Sequence, residues 1–220
     1  MTCELTNGDY NNTVYAEENR QLFHNNHVFV VNMIGSKGAG KTTLLVKLLK
    51  YLQKHLNAAV IEADLSRAKD ADKIASCNIP MIQINTEMSG QLNAKMINQV
   101  LPGFYLEDLD LIVIENMGNI TSPSTYELGE DVTLLVMSIA ECVENPKINP
   151  DVLTASEALI INKTDLLEMI NINIPKIISG LSAIKPDLKV FETCCHEGEV
   201  SGVEEFGKWL IEQIKNKTKR

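Results

Sequence analysis

A glycine-rich segment that ends in lysine and threonine is the part of this sequence best suited to chemistry. Gly35–Thr42 reads Gly-Ser-Lys-Gly-Ala-Gly-Lys-Thr, the G-x-x-x-x-G-K-[ST] pattern of a phosphate-binding loop. Glycines let successive backbone N–H groups converge on an anion, and a helix that follows adds its positive end. We expect Lys41 to reach the β- and γ-phosphates of a nucleotide and the Thr42 hydroxyl to bind Mg²⁺. The predicted nucleotide contacts in this loop are Gly35, Ser36, Lys37, Gly38, Ala39, Gly40, Lys41, Thr42 and Thr43.

Such a loop needs a strand before it and a helix after it, and the sequence predicts both. Residues 28–34 form an apolar run, and the leucines at 45, 48, 49 and 52 have the spacing of a helix with one buried stripe. Similar apolar runs alternate with helical patterns along the rest of the chain. This alternation predicts an α/β, three-layer P-loop NTPase fold, with a mostly parallel sheet of about seven strands and helices on both faces. Strands are expected at 28–34, 58–62, 81–84, 109–114, 132–139, 158–161 and 188–191.

The composition is that of one globular domain with short additions at its ends. The chain has 220 residues, of which 45% are hydrophobic, and this length can bury a substantial core. We expect a polar N-terminal segment at 1–27 that is frayed to about residue 12 and then forms a short helix at Val14–Phe23. A nucleotide-binding domain at 28–215 and a basic tail at 216–220 complete the predicted organisation.

The charge and the cysteine content exclude several classes of function. A net charge of −9 argues against a nucleic-acid binder or a protein of anionic membranes, because both need clustered lysine and arginine. Five cysteines without a C-x-x-C pair do not predict a disulfide framework. No apolar run approaches the roughly 18 residues of a membrane span, and no signal peptide is expected. The sequence therefore predicts a cytoplasmic protein.

A second motif predicts which base the nucleotide carries. Asn162-Lys163-Thr164-Asp165 follows the apolar run 158–161, at the end of a predicted strand, where ligands bind in such sheets. The carboxylate of Asp165 can accept the N1–H and N2–H groups of guanine together. Adenine would leave that carboxylate unpaired, so the site would discriminate strongly in favour of GTP and GDP. The predicted guanine contacts are Asn162, Lys163, Asp165, Thr193 and Cys194, the last two in a loop over the base.

Two acidic residues at strand ends predict a metal-dependent switch. Asp64 follows the strand at 58–62, and Glu115 follows the strand at 109–114. The segment from Glu115 to Gly118 has the layout of an acid-x-x-Gly switch, in which the Gly118 N–H contacts the γ-phosphate. Mg²⁺ prefers octahedral oxygen coordination, which Thr42, Asp64, Glu115 and phosphate oxygens can supply. The predicted catalytic residues are Lys41, Asp64, Glu115 and Gly118.

Several segments together resemble the HypB family, the nickel-incorporation GTPases of hydrogenase and urease maturation. They read Glu-Ala-Asp at 62–64, Gln-Ile-Asn-Thr at 83–86, Glu-Asn-Met-Gly-Asn at 115–119 and Asn-Lys-Thr-Asp-Leu-Leu at 162–167. The resemblance implies a SIMIBI-class GTPase that forms a nucleotide-dependent homodimer. It also implies that GTP hydrolysis is coupled to Ni²⁺ delivery, with a metalloenzyme precursor or an accessory maturation protein as partner.

The sequence departs from that family where its members carry metal ligands. Members have a Cys-His pair after the Gln-Ile-Asn-Thr strand and a further cysteine before a proline, where this chain has Gly90, Gln91 and Ser122. Thiolate and imidazole hold Ni²⁺ or Zn²⁺ tightly, and the side chains of glycine, glutamine and serine do not replace them. We therefore expect no nickel or zinc site at these three positions.

Two further features leave alternatives open. Cys194-Cys195-His196 follows the strand at 188–191, either as part of the loop over the base or as the source of one cysteine and one histidine ligand across a dimer. Lys37 stands where the family commonly has proline. It either faces solvent or a partner, or it acts across a dimer as the signature lysine of deviant Walker ATPases does.

Three functions remain open from the sequence alone. The first is a GTP-hydrolysing maturation factor that resembles HypB. The second is a GTP-gated scaffold for metalloenzyme assembly that carries no metal itself. The third, a small-molecule kinase, would need an arginine-rich lid over the phosphates, whereas the chain has only Arg20, Arg67 and Arg220.

Overall fold

The computed structural model describes residues 7–64, 74, 76–86, 92–116, 127–144, 149–170, 173–196 and 199–217. The helices are α1 (Asn7–Asn25), α2 (Lys41–Leu52), α3 (Ala94–Val100), α4 (Ile139–Glu144), α5 (Pro150–Ala155), α6 (Ile174–Ser182) and α7 (Val203–Lys217). The strands are β1 (Phe29–Ile34), β2 (Ala58–Asp64), β3 (Met81–Asn85), β4 (Leu111–Glu115), β5 (Val132–Ser138), β6 (Ala158–Asn162), β7 (Lys189–His196) and β8 (Glu199–Ser201). Short 3₁₀ segments lie at Leu101–Gly103, Leu106–Asp108 and Thr164–Glu168. None of these helices is long and apolar enough to cross a membrane.

The strands named above form a single sheet in the order β3-β2-β4-β1-β5-β6-β7-β8. The strands from β3 to β7 in this order pair in parallel, and β8 pairs antiparallel with β7. The predicted α/β fold with a mostly parallel sheet is thus confirmed, and β8 is a strand that the sequence did not predict. The strand order reverses at β1, which lies between β4 and β5, and in such sheets the reversal point is where ligands bind.

Helices cover both faces of the sheet, as the sequence predicts. On one face α2 and α7 enclose an apolar cluster that includes Val31 and Met33 of β1. Val30 and Ile34 of the same strand face the opposite layer, which α1, α3, α5 and α6 cover. Every residue of β1, β4, β5 and β6 is buried, as expected for parallel strands with helices on both faces. The carboxyl ends of these strands therefore form a rigid base for a site.

The N-terminal helix is longer than the sequence predicted. It begins at Asn7 rather than at Val14, so the expectation of a frayed segment to about residue 12 is wrong from Asn7 onward. The buried side chain of Asn19 donates to the carbonyl oxygens of Ala94 and Leu128, both at 2.9 Å. These bonds hold α1 against α3 and against the segment before β5, because buried polar groups in folded proteins find partners.

The strand β7 is also longer than predicted. It continues to His196, so Thr193 and Cys194 lie on a strand, and the expectation of a loop over the base at these residues is wrong. The added residues pair antiparallel with β8. Gly202 directly follows β8 with a φ of +72°, and a Cβ at that position would meet the Glu192 carbonyl oxygen of β7 at 1.8 Å.

Smaller differences affect the ends of other elements. Strand β2 extends to Asp64, so that residue ends the strand rather than following it. Helix α7 runs to Lys217, two residues into the segment expected as a basic tail. The division of the chain at residues 27 and 215 stays a prediction.

Candidate nucleotide site

The phosphate loop connects β1 to α2, and its shape depends on glycine. Gly38 and Gly40 have φ values of +94° and +90°, in the left-handed region that favours this residue type. Gly35 rests on β5, because a Cβ at this position would stand 2.2 Å from the Val136 carbonyl oxygen. Lys37 is exposed at the tip of the loop. The loop and the start of α2 thus meet at the carboxyl edge of the sheet, where backbone N–H groups attract anions.

Lys41 is the first residue of α2, and its buried side chain folds back over the loop. Its Nζ atom donates to the carbonyl oxygens of Gly35 at 2.6 Å and Ser36 at 3.1 Å. Burial lowers the pKa of Lys41 below its usual value, while the carboxylates of Glu115 and Glu141 act in the opposite direction. A buried ammonium group surrounded by carbonyl oxygens is a strong partner for phosphate, because hydrogen bonds between charged groups are stronger than neutral ones.

Oxygen ligands suited to Mg²⁺ meet beside this lysine. Thr42 Oγ1 donates to Glu115 Oε1 at 2.6 Å, so the hydroxyl and the carboxylate that the motifs predicted lie together. Mg²⁺ prefers hard oxygen ligands and keeps several waters, and this pair fits that preference. Asp64, also predicted as a Mg²⁺ ligand, is the last residue of β2, but its side chain is outside the part of the chain that the structure describes. Gly118, the predicted γ-phosphate contact, lies outside the described residues.

A third carboxylate, which the sequence reading did not single out, lies next to this pair. Glu62 on β2 is in register with Glu115 on β4, so both side chains extend to the same face of the sheet. They are buried, with 4% and 6% exposure. Gln83 Nε2 donates to Glu62 Oε2 at 3.5 Å, which helps to fix the Glu62 carboxylate beside Glu115. The clue in the sequence is a glutamate within the otherwise apolar strand Ala-Ala-Val-Ile-Glu-Ala.

Asn162 joins the phosphate loop to the strands on the base side. Its Nδ2 atom donates to the Ala39 carbonyl oxygen at 2.9 Å. Its Oδ1 atom accepts from Thr193 Oγ1 at 3.0 Å. Both side chains are buried and in register on β6 and β7. The structure thus gives Asn162 a bridging position that links the loop to β7 through one side chain.

Two of the residues predicted to contact guanine, Lys163 and Asp165, lie on the turn after β6. Lys163 has a φ of +62°, which turns the chain into the 3₁₀ segment that contains Asp165. Cys194 Sγ donates to Asp165 Oδ1 at 3.4 Å. Thr164 Oγ1 donates to the Thr193 carbonyl oxygen at 3.2 Å. The structure therefore brings the four-residue motif together with the two β7 residues that the sequence associated with it.

The Cys-Cys-His segment does not gather into a metal site. Adjacent strand residues point to opposite faces, so Cys194 faces Asp165 whereas Cys195 packs against the apolar cluster around α2. Burial and the neighbouring Cys194 raise the pKa of the Cys195 thiol to about 11, which disfavours the thiolate that metals bind. Within the described ranges, no three His, Cys, Asp or Glu side chains are placed to hold a metal ion. The positions compared with the family's metal ligands lie outside those ranges: Gly90, Gln91 and Ser122.

Known proteins resemble this chain in sequence and in fold. The family model "CobW/HypB/UreG, nucleotide-binding domain" matches residues 29–192. The chain is 36% identical over 204 residues to the hydrogenase maturation factor HypB of Azotobacter chroococcum mcd 1, covering 92% of this chain and 66% of that protein. It is 34% identical over 213 residues to HypB of Escherichia coli K12, covering 97% of this chain and 72% of that protein. The chain belongs to the HypB family.

A solved HypB structure has the same fold. The crystal structure of HypB from Helicobacter pylori in complex with nickel matches with a TM-score of 0.82 at 27% identity, over 94% of this chain and 96% of that one. The HypB resemblance drawn from the sequence motifs is thus confirmed, as is the P-loop fold. The chain spans about two thirds of the length of the Azotobacter relative.

Replacing Gly40 with alanine is expected to weaken nucleotide binding far more than the same change at Gly38. A Cβ at Gly40 would stand 2.5 Å from Asn162 Nδ2, whereas one at Gly38 has no neighbour within 4 Å. The φ values of Gly38 and Gly40 are nearly equal, so alanine causes a similar backbone strain at both positions. The two variants therefore differ mainly in the clash with Asn162. We expect GDP affinity to fall about tenfold further in Gly40→Ala, measured by titration with fluorescent GDP. Equal affinities of the two variants would show that the contact with Asn162 does not shape the loop.

Replacing Thr193 with valine is expected to lower the free energy of unfolding by about 1–2 kcal/mol, because Asn162 Oδ1 loses a buried donor. Urea unfolding measures the change. Thr154→Val is the matched control, since the Thr154 hydroxyl donates to the Pro150 carbonyl oxygen on the exposed side of α5. Its effect should stay within about 0.5 kcal/mol. A loss of the same size in both variants would contradict a special role for the buried bond.

Proposed function

We propose that this chain binds GTP with Mg²⁺, hydrolyses it to GDP and phosphate, and thereby assists nickel incorporation into hydrogenase or a related metalloenzyme. The observation that carries the proposal is the bridge made by Asn162, which bonds the phosphate loop on one side and Thr193 on the other. One connected set of residues could therefore hold a triphosphate and a base. The names of the HypB relatives support the maturation role.

The phosphate side of the site has the groups that phosphoryl transfer needs. We expect Lys41 to bind β- and γ-phosphate oxygens and to stabilise the charge that develops on them. The Thr42 hydroxyl and the Glu115 carboxylate would hold Mg²⁺, which neutralises phosphate charge when bound. Asp64 and Gly118 are proposed to complete the switch around the γ-phosphate. Catalysis of this kind depends mainly on position and charge, so a slow intrinsic rate is expected without a partner.

The base side of the site favours guanine. The Asp165 carboxylate offers two acceptor oxygens, which match the N1–H and N2–H donors of guanine and leave adenine without a pair. Cys194 donates to one of these oxygens and so fixes the direction of the carboxylate. Lys163 and Thr193 are proposed as further contacts around the base.

The proposed partners follow from the family. We propose a homodimer that forms with bound nucleotide, and a metalloenzyme precursor or an accessory maturation protein as its client. The Helicobacter pylori relative is described in complex with nickel. In this chain glycine, glutamine and serine stand at 90, 91 and 122, so the proposal places no nickel or zinc at those positions. These substitutions favour a second candidate, a GTP-gated scaffold for metalloenzyme assembly that does not itself carry metal.

Single-turnover assays with GTP and ATP, each with Mg²⁺ and with a chelator, test the proposal. We expect GTP to bind about 100-fold more tightly than ATP, and GDP to form only when Mg²⁺ is present. Tight GTP binding without GDP formation, alone and with candidate clients, would favour the scaffold. Absence of GTP binding would contradict both candidates.

A further inference from the structure

Glu141 lies beside the phosphate loop and has no part in the chemistry proposed above. It is on the first turn of α4, directly after β5 ends at Ser138. The loop rests on the same strand, since Gly35 packs against the Val136 carbonyl. Ser138 is also in register with Asn162, the residue that bonds the loop. The chain thus places an acidic side chain at the strand end that supports the phosphate site.

Ser138 and Glu141 hold each other in a reciprocal capping box. The backbone N–H and the hydroxyl of Ser138 both donate to Glu141 Oε2, at 2.7 and 2.9 Å. The Glu141 N–H in turn donates to Ser138 Oγ at 3.4 Å. This S-x-x-E pattern is typical of a helix N-terminus and anchors both side chains. The half-buried carboxylate therefore has a fixed place relative to the loop.

The carboxylate and the phosphate-binding lysine lie at the same edge of the sheet, because β5 pairs with β1 and Ile34, the last residue before the loop, is in register with Leu135. Burial lowers the pKa of Lys41, and Glu115 and Glu141 are the two groups that oppose this effect. Glu115 is already engaged with the Thr42 hydroxyl. A carboxylate that interacts with Lys41 also repels the phosphates that Lys41 binds, because Coulomb forces extend over several ångströms in a partly buried site.

We propose that Glu141 sets the lifetime of the bound nucleotide. Its negative charge competes with the phosphates for Lys41 and repels them, so that GDP leaves faster than it would without this residue. The inference rests on the proposed function, because it concerns a guanine nucleotide in the same loop. A protein that hydrolyses GTP repeatedly must release GDP each time, and a fixed carboxylate beside the loop favours that step.

Glu157 offers a matched control at the other end of β5. One of its carboxylate oxygens accepts from the Thr133 N–H at 2.6 Å, much as Glu141 accepts from the Ser138 N–H. Thr133 and Ser138 are five residues apart on the strand, roughly 17 Å, which exceeds the screening length of about 8–10 Å at moderate salt. Removing the charge of Glu157 therefore changes the net charge equally, while its effect at the loop is largely screened.

The test is the rate at which GDP with a ribose-linked fluorophore dissociates when excess GDP displaces it. Glu141→Gln keeps the shape and a capping acceptor without the charge, and it is expected to release GDP roughly tenfold more slowly at about 50 mM salt. The difference should shrink at about 0.5 M salt, because ions screen the repulsion. Glu141→Asp, which keeps the charge, and Glu157→Gln are expected to release GDP within about twofold of the unmodified rate.

The outcomes are distinguishable. Equal release rates for Glu141→Gln and Glu157→Gln would overturn the inference and leave the proposed function intact. Thermal melting of each variant measures the capping role separately. A lower Tm of Glu141→Gln with an unchanged release rate would show that the residue is a helix cap alone, which also contradicts the inference. If the unmodified chain did not bind GDP, the proposed function and this inference would both be wrong.

Discussion

Replacing Lys41 with alanine is expected to lower the single-turnover rate of GTP hydrolysis by about two orders of magnitude or more. The Lys41 ammonium group is buried at the start of α2, where it meets the loop carbonyls of Gly35 and Ser36. In the proposed function its ammonium group balances charge on the transferring phosphate, and alanine offers no substitute. GDP formation at saturating GTP measures the chemical step separately from binding.

The control for this change is another lysine of the same helix. Lys50 is exposed in the last turn of α2, so Lys50→Ala removes one positive charge away from the loop. Its hydrolysis rate should stay within about twofold of the unmodified chain. Unfolding of both variants by urea shows whether the loss of the two Lys41 hydrogen bonds disturbs the fold. A folded Lys41→Ala chain with the normal hydrolysis rate would contradict the proposed role.

Replacing Asp165 with asparagine is expected to exchange a preference for guanine for a preference for xanthine. The carboxylate of Asp165 presents two acceptors, which match the N1–H and amino donors of guanine. Asparagine presents one acceptor and one donor, which match the N1–H and the 2-oxo group of xanthine instead. We expect the affinity for GDP to fall by about 100-fold to 1,000-fold, because a site built for a donor pair rejects a mismatch strongly. Competition of GDP and XDP against a fluorescent nucleotide measures both affinities.

A second acidic residue provides the control for this exchange. Asp151 is exposed in the first turn of α5, so Asp151→Asn makes the same chemical change on the surface. It should leave both affinities unchanged. Retention of GDP preference by Asp165→Asn would show that another group reads the base. Loss of all nucleotide binding, including XDP, would instead indicate that Asp165 mainly supports the turn through its bond with Cys194.

The phosphate loop and its flanking elements could be predicted because their causes are local. Glycines at 38 and 40 permit the positive φ values, and the leucine spacing that follows predicts a helix with one buried face. The pairing of Thr42 with Glu115 is less local, yet motif spacing found it, because parallel strands bring their carboxyl ends to one edge.

Long-range pairing explains what the sequence reading missed. The extension of β7 to His196 depends on its pairing with β8. The sequence Thr-Cys-Cys-His lacks the alternation of apolar and polar residues that predicts a strand. Helix α1 begins early because its polar face finds buried partners on other elements: Asn12 donates to the Glu127 carbonyl oxygen and accepts from the Ala94 N–H. Glu62 becomes part of the site only through its register with Glu115, which no linear spacing reveals.

The bridge made by Asn162 limits how the base preference of this chain can be redesigned. Its amide supports the phosphate loop at Ala39, and its carbonyl oxygen accepts from Thr193. A mutant library that randomises the whole Asn-Lys-Thr-Asp motif would therefore lose most members to a damaged loop before any base is tested. A library confined to Asp165 and Cys194 leaves that support in place, so its members can be selected for the nucleotide alone.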